Sequence, residues 1–292
     1  MITEVTLPLL VNLTLNGIVL GTLYFLTASG LSLIFGLMHV LNLAHAALFA
    51  WGAYVALATY TKTGSFALSL LAGLAMGAII GAVIEIGFVR PFYGDHMLQI
   101  LLTLGLYLVL HETLRLIWGP SLIAFHIPAW AQGTLDVAGL PLSRYRMVLL
   151  ILGLALFVAV YLLLTRTRFG IIVRAGVENA EMVEALGINV RRIFTGAFVF
   201  GGALAAFGGA AAGPFFRVVW PEMGSEMQLA AFIVVVIGGL GSFTGSAVGA
   251  LLVGLFQAFV GYFYPNAALI VNVALMALVL LVRPQGLFAP GR

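Results

Sequence analysis

Long stretches without charge organise this chain. No charged residue lies between Glu4 and Lys62, between Arg146 and Arg166, between Arg192 and Arg217, or between Glu226 and Arg283. A helix that crosses a bilayer needs about 20 apolar residues, because the hydrocarbon core is ~30 Å thick. The apolar runs predict spans near 7–27, 30–60, 66–89, 97–117, 145–165, 193–212, 227–243, 245–263 and 266–282, with 30–60 long and broken. A transmembrane barrel requires alternation of apolar and polar residues over about 10-residue segments. Runs such as Val148 to Leu164 show none. Backbone groups in lipid must then be satisfied within each segment, which means helices. The expected fold is all-α: one polytopic transmembrane helix bundle over 1–292, with broken or re-entrant helices and about eight spans.

Composition strengthens this picture. Apolar residues make up 63% of the chain and charged residues 8%, against about 25% charged in a soluble domain. The net charge is +3, and no basic stripe alternates with aromatics, so nucleic-acid binding has no electrostatic footprint. The absence of cysteine excludes disulfides, thiol catalysis and Cys-based metal sites. No Lys or Arg precedes the first apolar run, which argues against a cleaved leader peptide.

Arginine placement sets the expected orientation. Residues 166–192 hold Arg166, Arg168, Arg174, Arg191 and Arg192 and are expected in the cytoplasm. Arg283 and Arg292 place the C-terminus there as well. The loop 118–143 has Asp136 but no Lys or Arg and is expected outside, as is 213–226. The N-terminus is then external, provided 30–60 makes one net crossing.

Eight of the 23 charges sit in 166–192, so this loop is built for water or for a partner. Asn179 suits a helix N-cap, Glu181 suits the first turn, and Gly187 suits the stop. Between them the pattern predicts a helix of about two turns with Met182, Val183 and Leu186 on one apolar face. Such a helix is too short to stand alone in water. It must dock, either on its own spans or in a cleft of a soluble partner.

Three stretches carry a family resemblance. The first is Arg174-Ala175 followed by Glu184-Ala185-Leu186-Gly187-Ile188-Asn189. The second is Gly30-Leu31-Ser32-Leu33-Ile34-Phe35-Gly36-Leu37-Met38 with Val40, Asn42, Ala44-His45 and Gly52-Ala53-Tyr54. The third is Gly238-Gly239-Leu240-Gly241-Ser242 with Gly245 and Gly249. Together, over about residues 10–286, the chain resembles LivH-type permeases of the branched-chain amino acid ABC importer family. One departure is visible: Ala46-Ala47 stands where the family often has Gly and an acidic residue. The resemblance implies import of branched-chain amino acids at a bacterial inner membrane. It implies a second, different permease subunit, two cytoplasmic ATPase subunits and an external substrate-binding protein received by loops 118–143 and 213–226. It also implies ATPase coupling through Arg174, Glu178, Glu181, Met182, Glu184, Ala185, Leu186, Gly187, Ile188 and Asn189.

Polar residues inside lipid are costly and are candidate functional groups. Asn42 and His45 lie in a glycine-rich, interrupted region. Pro221 to Gln228 forms a second interruption. Asn42-Leu43-Ala44 matches Gln228-Leu229-Ala230, and Gly52 matches Gly238, at a common offset of 186 residues. Matching interruptions in two halves point to a transporter pathway, here near Asn42, His45, Phe49, Gln228 and Phe232. The other reading of Asn42 and His45 is a local polar cap on a helix that bends.

Elsewhere in the spans, Glu112 and Arg115 are placed to pair at an interface. Glu85 is expected to snorkel toward Arg90 at the inner surface. Tyr24, Tyr54, Tyr60, Trp118 and Trp130 read as interfacial aromatics. The Gly201-Gly202, Gly208-Gly209 and Gly213 set suits close helix packing.

The single lysine, Lys62, follows Thr61, so no P-loop is present and ATP hydrolysis belongs to another polypeptide. No cofactor, metal or enzymatic site is expected. The alternatives are an importer of urea, short amides or other small solutes with the same architecture, and an ion-coupled carrier. The carrier would need intramembrane carboxylates, for which only Glu85 and Glu112 qualify.

Overall fold

The computed structural model describes residues 6–38, 41–137 and 140–288. Glu4, Val40 and Arg292, used in the sequence reading, lie outside that set. The elements are α1 (Leu7–Met38), α2 (His45–Thr63), α3 (Phe66–Val83), α4 (His96–Trp118), α5 (Arg144–Arg166), α6 (Arg168–Glu178), α7 (Ala180–Ala185), α8 (Val190–Phe216), α9 (Met223–Gly238), α10 (Phe243–Phe263) and α11 (Ala268–Val282). Helix α3 runs on through a π-helical stretch, Ile84–Val89, and a 3-10 turn, Arg90–Phe92. Two further 3-10 turns, Ala129–Ala131 and Pro265–Ala267, and four short strands complete the elements of the described residues: β1 (Ile123–Ala124), β2 (Thr134–Val137), β3 (Leu140–Ser143) and β4 (Val218–Val219).

The fold is a polytopic helical bundle. Among the described residues, six helices are long and apolar enough to cross a membrane: α1, α3 with its extension to Phe92, α4, α5, α8 and α10. Helix α9 and the stretch Asn272–Val282 of α11 are shorter apolar helices. On the outside of the bundle, α4, α5 and α11 expose Leu116 (85%), Leu154 (65%) and Leu281 (82%). Water penalises such an apolar belt, and a bilayer solvates it.

The first division differs from the expectation. Helix α1 ends at Met38 and α2 begins at His45, and α1 passes unbroken through residues 28–29. Gly30 interrupts nothing; it lets α1 touch α8. A Cβ at Gly30 would lie 2.6 Å from the Gly201 carbonyl oxygen, so two backbones meet where a side chain would hold them apart.

Two copies of one three-helix pattern build the core. Helices α1 and α2 are separated by residues 39–44, and α8 and α9 by 217–222. A tight turn then leads to α3 and to α10. The turns share a sequence, Gly64-Ser65-Phe66-Ala67-Leu68-Ser69 and Gly241-Ser242-Phe243-Thr244-Gly245-Ser246. Gly64 (φ 67°) and Gly241 (φ 81°) both take the left-handed conformation that favours glycine. Ser65 and Ser242 cap the next helix by accepting from Leu68 N (3.4 Å) and Gly245 N (3.0 Å). Ser69 and Ser246 are fully buried, each donating back to its own first turn.

Each half lends its third helix to the other. Helix α3 packs along α8 and α10 along α1, the two most extensive pairings in the bundle. Leu26 of α1 faces Gly208 of α8, whereas Gly30 faces Gly201. The numbering descends on one helix as it rises on the other, so α1 and α8 are antiparallel and the two halves are inverted. The shared turns lie 177 positions apart, Gly64 to Gly241. The repeat therefore does not follow the offset of 186 suggested by Asn42 and Gln228. Short matches arise by chance in apolar, low-complexity sequence, whereas a turn with a fixed φ and a capping hydroxyl defines register.

Two other expectations are corrected. Tyr24 and Tyr54 are interior residues, 5% and 0% exposed, with the Tyr54 ring 5.3 Å from that of Trp118. Glu85 does not reach for the surface. Its side chain is fully buried, and Arg90 comes to it through Nε–Oε1 (3.0 Å) and Nη2–Oε2 (2.9 Å) bonds. Arg90 also donates to Thr195 Oγ1 of α8 at 2.6 Å, and the Tyr93 hydroxyl donates to Glu85 Oε1. A desolvated carboxylate is tolerated only when paired and hydrogen-bonded, and the π-helical stretch shares residues with this network. Burial first, and then the bond to Glu85, raise the Tyr93 hydroxyl pKa above the ordinary tyrosine range.

Candidate functional site

The polar junction lies where α2 and α9 begin. Gly224, in the first turn of α9, packs against the Ala46 carbonyl in the first turn of α2. Gln228 Nε2 faces the Asn42 carbonyl oxygen at 3.5 Å, the outer limit of a hydrogen bond. The start of α2 is tied to α4 by a 3.3 Å bond from Leu43 N to Thr103 Oγ1. His45, fully buried, makes a 3.1 Å bond through Nε2 with the Thr27 carbonyl of α1.

This junction is under-satisfied. Asn42 is 1% exposed, and neither of its amide atoms has a hydrogen-bond partner. His45 Nδ1 and Gln228 Oε1 are also buried without one. Each such group costs about 1–3 kcal/mol, and a native structure retains few of them. Two interrupted elements meeting at unpaired polar groups is the arrangement expected of a solute pathway.

Of the five residues read as pathway-lining, Asn42 and Gln228 come together, and His45 follows within the first turn of α2. Phe49 is fully buried against Gly208 and Gly209 of α8, which makes it a packing residue here. Phe232 is half-buried on α9. The sequence reading passed over Gln257 and Asn272, which hydrogen-bond each other between α10 and α11. Their signal was present as two amides in apolar runs.

The charged loop forms α6 and α7. Asn179 caps α7 by accepting from Met182 N at 2.9 Å, and Gly187 takes φ 81° after it, as the pattern predicted. The apolar face divides. Val183 is buried (3%), whereas Met182 and Leu186 are 59% and 73% exposed. Glu181, Glu184, Ala185, Gly187 and Asn189 surround them on the surface, and Ile188 is half-buried. One side chain anchors the helix on its own chain, and two are left outward. Arg174 and Glu178 are exposed too, and they line a crevice beside α6.

At the other end of the bundle the two loops expected outside are joined. Strand β1 pairs antiparallel with β4, Ile123 opposite Val219 and Ala124 opposite Val218. Phe125 N donates to the Arg217 carbonyl at 2.9 Å. Arg217 is the non-glycine residue with positive φ among those described (62°). Glu112 and Arg115 form an exposed i,i+3 pair at 3.1 Å, as expected.

Long apolar helices in two inverted halves define a polytopic membrane protein. The family model described as "Branched-chain amino acid transport system / permease component" matches residues 13–282, and the chain belongs to that family. Among its relatives is the high-affinity branched-chain amino acid transport system permease protein LivH of Salmonella typhimurium, 30% identical over 93% of both chains. BraD of Pseudomonas aeruginosa, of the same description, is 28% identical over 93% of both. The probable LivH of Methanocaldococcus jannaschii is 27% identical over 93% of this chain and 90% of its own. No solved structure matches the chain.

Proposed function

We propose that this chain is the permease subunit of an ATP-driven importer of branched-chain amino acids. An external binding protein delivers the substrate to the joined loops 118–143 and 213–226. Two cytoplasmic ATPase subunits hydrolyse ATP, and a second, different permease subunit completes the membrane passage. The complex sits in the bacterial cytoplasmic membrane, with loop 166–192 and the C-terminus inside. Substrate passes the junction of Asn42, His45 and Gln228 as α2 and α9 separate.

One observation carries the coupling part of this reading. Helix α7 is held by Val183 while Met182 and Leu186 stay exposed beside Glu181 and Glu184. A two-turn helix that presents apolar side chains to water has a docking face to cover. Intramembrane carboxylates offer little to an ion-coupled carrier, because Glu85 is locked by Arg90 and Glu112 is exposed and paired.

The test is co-purification of the chain with candidate ATPase subunits, in wild-type form and as Glu184→Arg with Leu186→Asp. The reading expects an ATPase to accompany the wild type and to be lost from the double variant. If no ATPase binds and the chain alone carries leucine into liposomes, the ATP-driven reading is wrong.

A further inference from the structure

The crevice beneath α6 has features the proposed coupling does not use. It lies between α1, α5, α6 and α10, at the end of the bundle that carries the charged loop, and encloses about 290 Å³. That is just below the range of about 300–1,000 Å³ typical of pockets for drug-sized ligands, so it suits one small molecule. Its walls are apolar, with Leu33 from α1, Leu164 from α5 and Phe243 from α10. At its base is Ser32, 1% exposed, whose hydroxyl lacks a hydrogen-bond partner.

Two opposite charges share this lining. Arg174 and Glu178 are four residues apart on α6, a spacing at which such side chains often pair. The ion pairs among the described residues are Glu85–Arg90 and Glu112–Arg115, so these two remain free. A cation and an anion side by side, above an aliphatic wall, complement a zwitterion with an apolar tail. A purely anionic headgroup would meet Glu178 unfavourably, and a cation would meet Arg174.

We infer that this crevice is an inward-facing binding site for a zwitterionic α-amino acid with an aliphatic side chain. Arg174 takes the carboxylate, Glu178 the ammonium, and the walls of α1, α5 and α10 the side chain. The site is separate from the junction of Asn42 and Gln228. It lies one short connection from α7, so its occupancy by internal product ties α6 to α1 and α10. This inference rests on the substrate class and the loop orientation proposed above.

The purified chain in detergent provides the test, with radiolabelled leucine in equilibrium dialysis and a photoreactive leucine analogue for mapping. Leucine binding is expected to weaken at least tenfold in Arg174→Gln and in Glu178→Gln, to vanish in the crevice-filling Leu33→Trp, and to be unchanged in Glu112→Gln. The analogue is expected to label peptides containing residues 160–165 and 241–244. Because this map uses the wild-type chain, it stands even if a variant fails to fold. Labelling confined to the peptides of Asn42 and Gln228 overturns the inference. So does a crevice that retains co-purified phosphatidylethanolamine and excludes leucine. Leucine transport by the assembled complex without leucine binding here sinks this site alone. Absence of leucine transport sinks the substrate reading itself.

Discussion

Gln228 and Asn42 face each other across the junction of two helix starts, side-chain amide to backbone carbonyl, at 3.5 Å. The Asn42 side chain beside that contact is buried and unpartnered. The fold does not need its polarity. Asn42→Leu, a swap of similar size, is expected to leave the melting temperature equal or higher, because it removes an unsatisfied buried group. Leucine uptake by the assembled complex should nonetheless fall at least tenfold. A drop in melting temperature with uptake intact would reverse the assignment.

Glu85 and Arg90 have the opposite character. Replacing Glu85 by Gln leaves Arg90 without its counter-charge where α3 meets α8. Breaking a fully buried pair costs about 3–5 kcal/mol. Arg90 is 33% exposed, so water offsets part of that, and a loss of about 3 kcal/mol or less is expected. Thermal unfolding in detergent measures it. Glu85→Gln combined with Arg90→Met should recover part of the loss. If the double variant is no more stable than the single, the network is not held by charge pairing.

Glycines along the helices divide by what they face. A Cβ at Gly77 would collide with the Gly202 backbone of α8, whereas one at Gly105 of α4 meets nothing within 4 Å. Gly77→Ala is therefore expected to reduce folded yield severely. Gly105→Ala should be neutral or stabilising by up to about 1 kcal/mol, the helix-propensity difference. Size-exclusion profiles after solubilisation distinguish them, and equal tolerance at both positions would mean that α3 and α8 do not pack this closely.

Helix α7 predicts a separation of stability from coupling. Val183→Ser removes a buried anchor and should lower the melting temperature of the chain by itself. Leu186→Ser alters an exposed residue and should leave stability within about 0.5 kcal/mol. It should still weaken ATPase association. The informative measurement is the melting temperature alongside pull-down yield for both variants.

Arg217 holds a left-handed backbone at the β1–β4 junction. That conformation costs a non-glycine residue roughly 1–2 kcal/mol. Arg217→Gly is expected to raise stability by about 1 kcal/mol, read as a higher melting temperature. A fall instead would show that the guanidinium contributes more to the fold than its backbone strain costs.

Much of this protein is legible along the chain because lipid imposes a one-dimensional rule. A span must be long, apolar and helical, so charge gaps locate α5 and α8 closely, and apolar runs locate α4 and α10. Asn179 and Gly187 bracket α7 because caps are local chemistry, satisfied within three or four residues. The family resemblance was likewise carried by local motifs, in order, from Gly30 to Gly249.

Tertiary structure decided what depends on partners distant in sequence. Nothing local distinguishes Gly30, which admits α8, from a glycine that breaks a helix; the difference is the Gly201 backbone opposite it. Glu85 lies next to Arg90 in any reading, but only the packing of α3 on α8 buries its carboxylate and draws Arg90 inward. The inverted repeat hid because apolar side chains are interchangeable in lipid, which leaves the Gly-Ser-Phe turns as its main sequence trace. Composition and periodicity therefore determined that the chain is a helical membrane protein and where its helices run. Long-range backbone contact decided which helices touch and which polar groups stay unpaired.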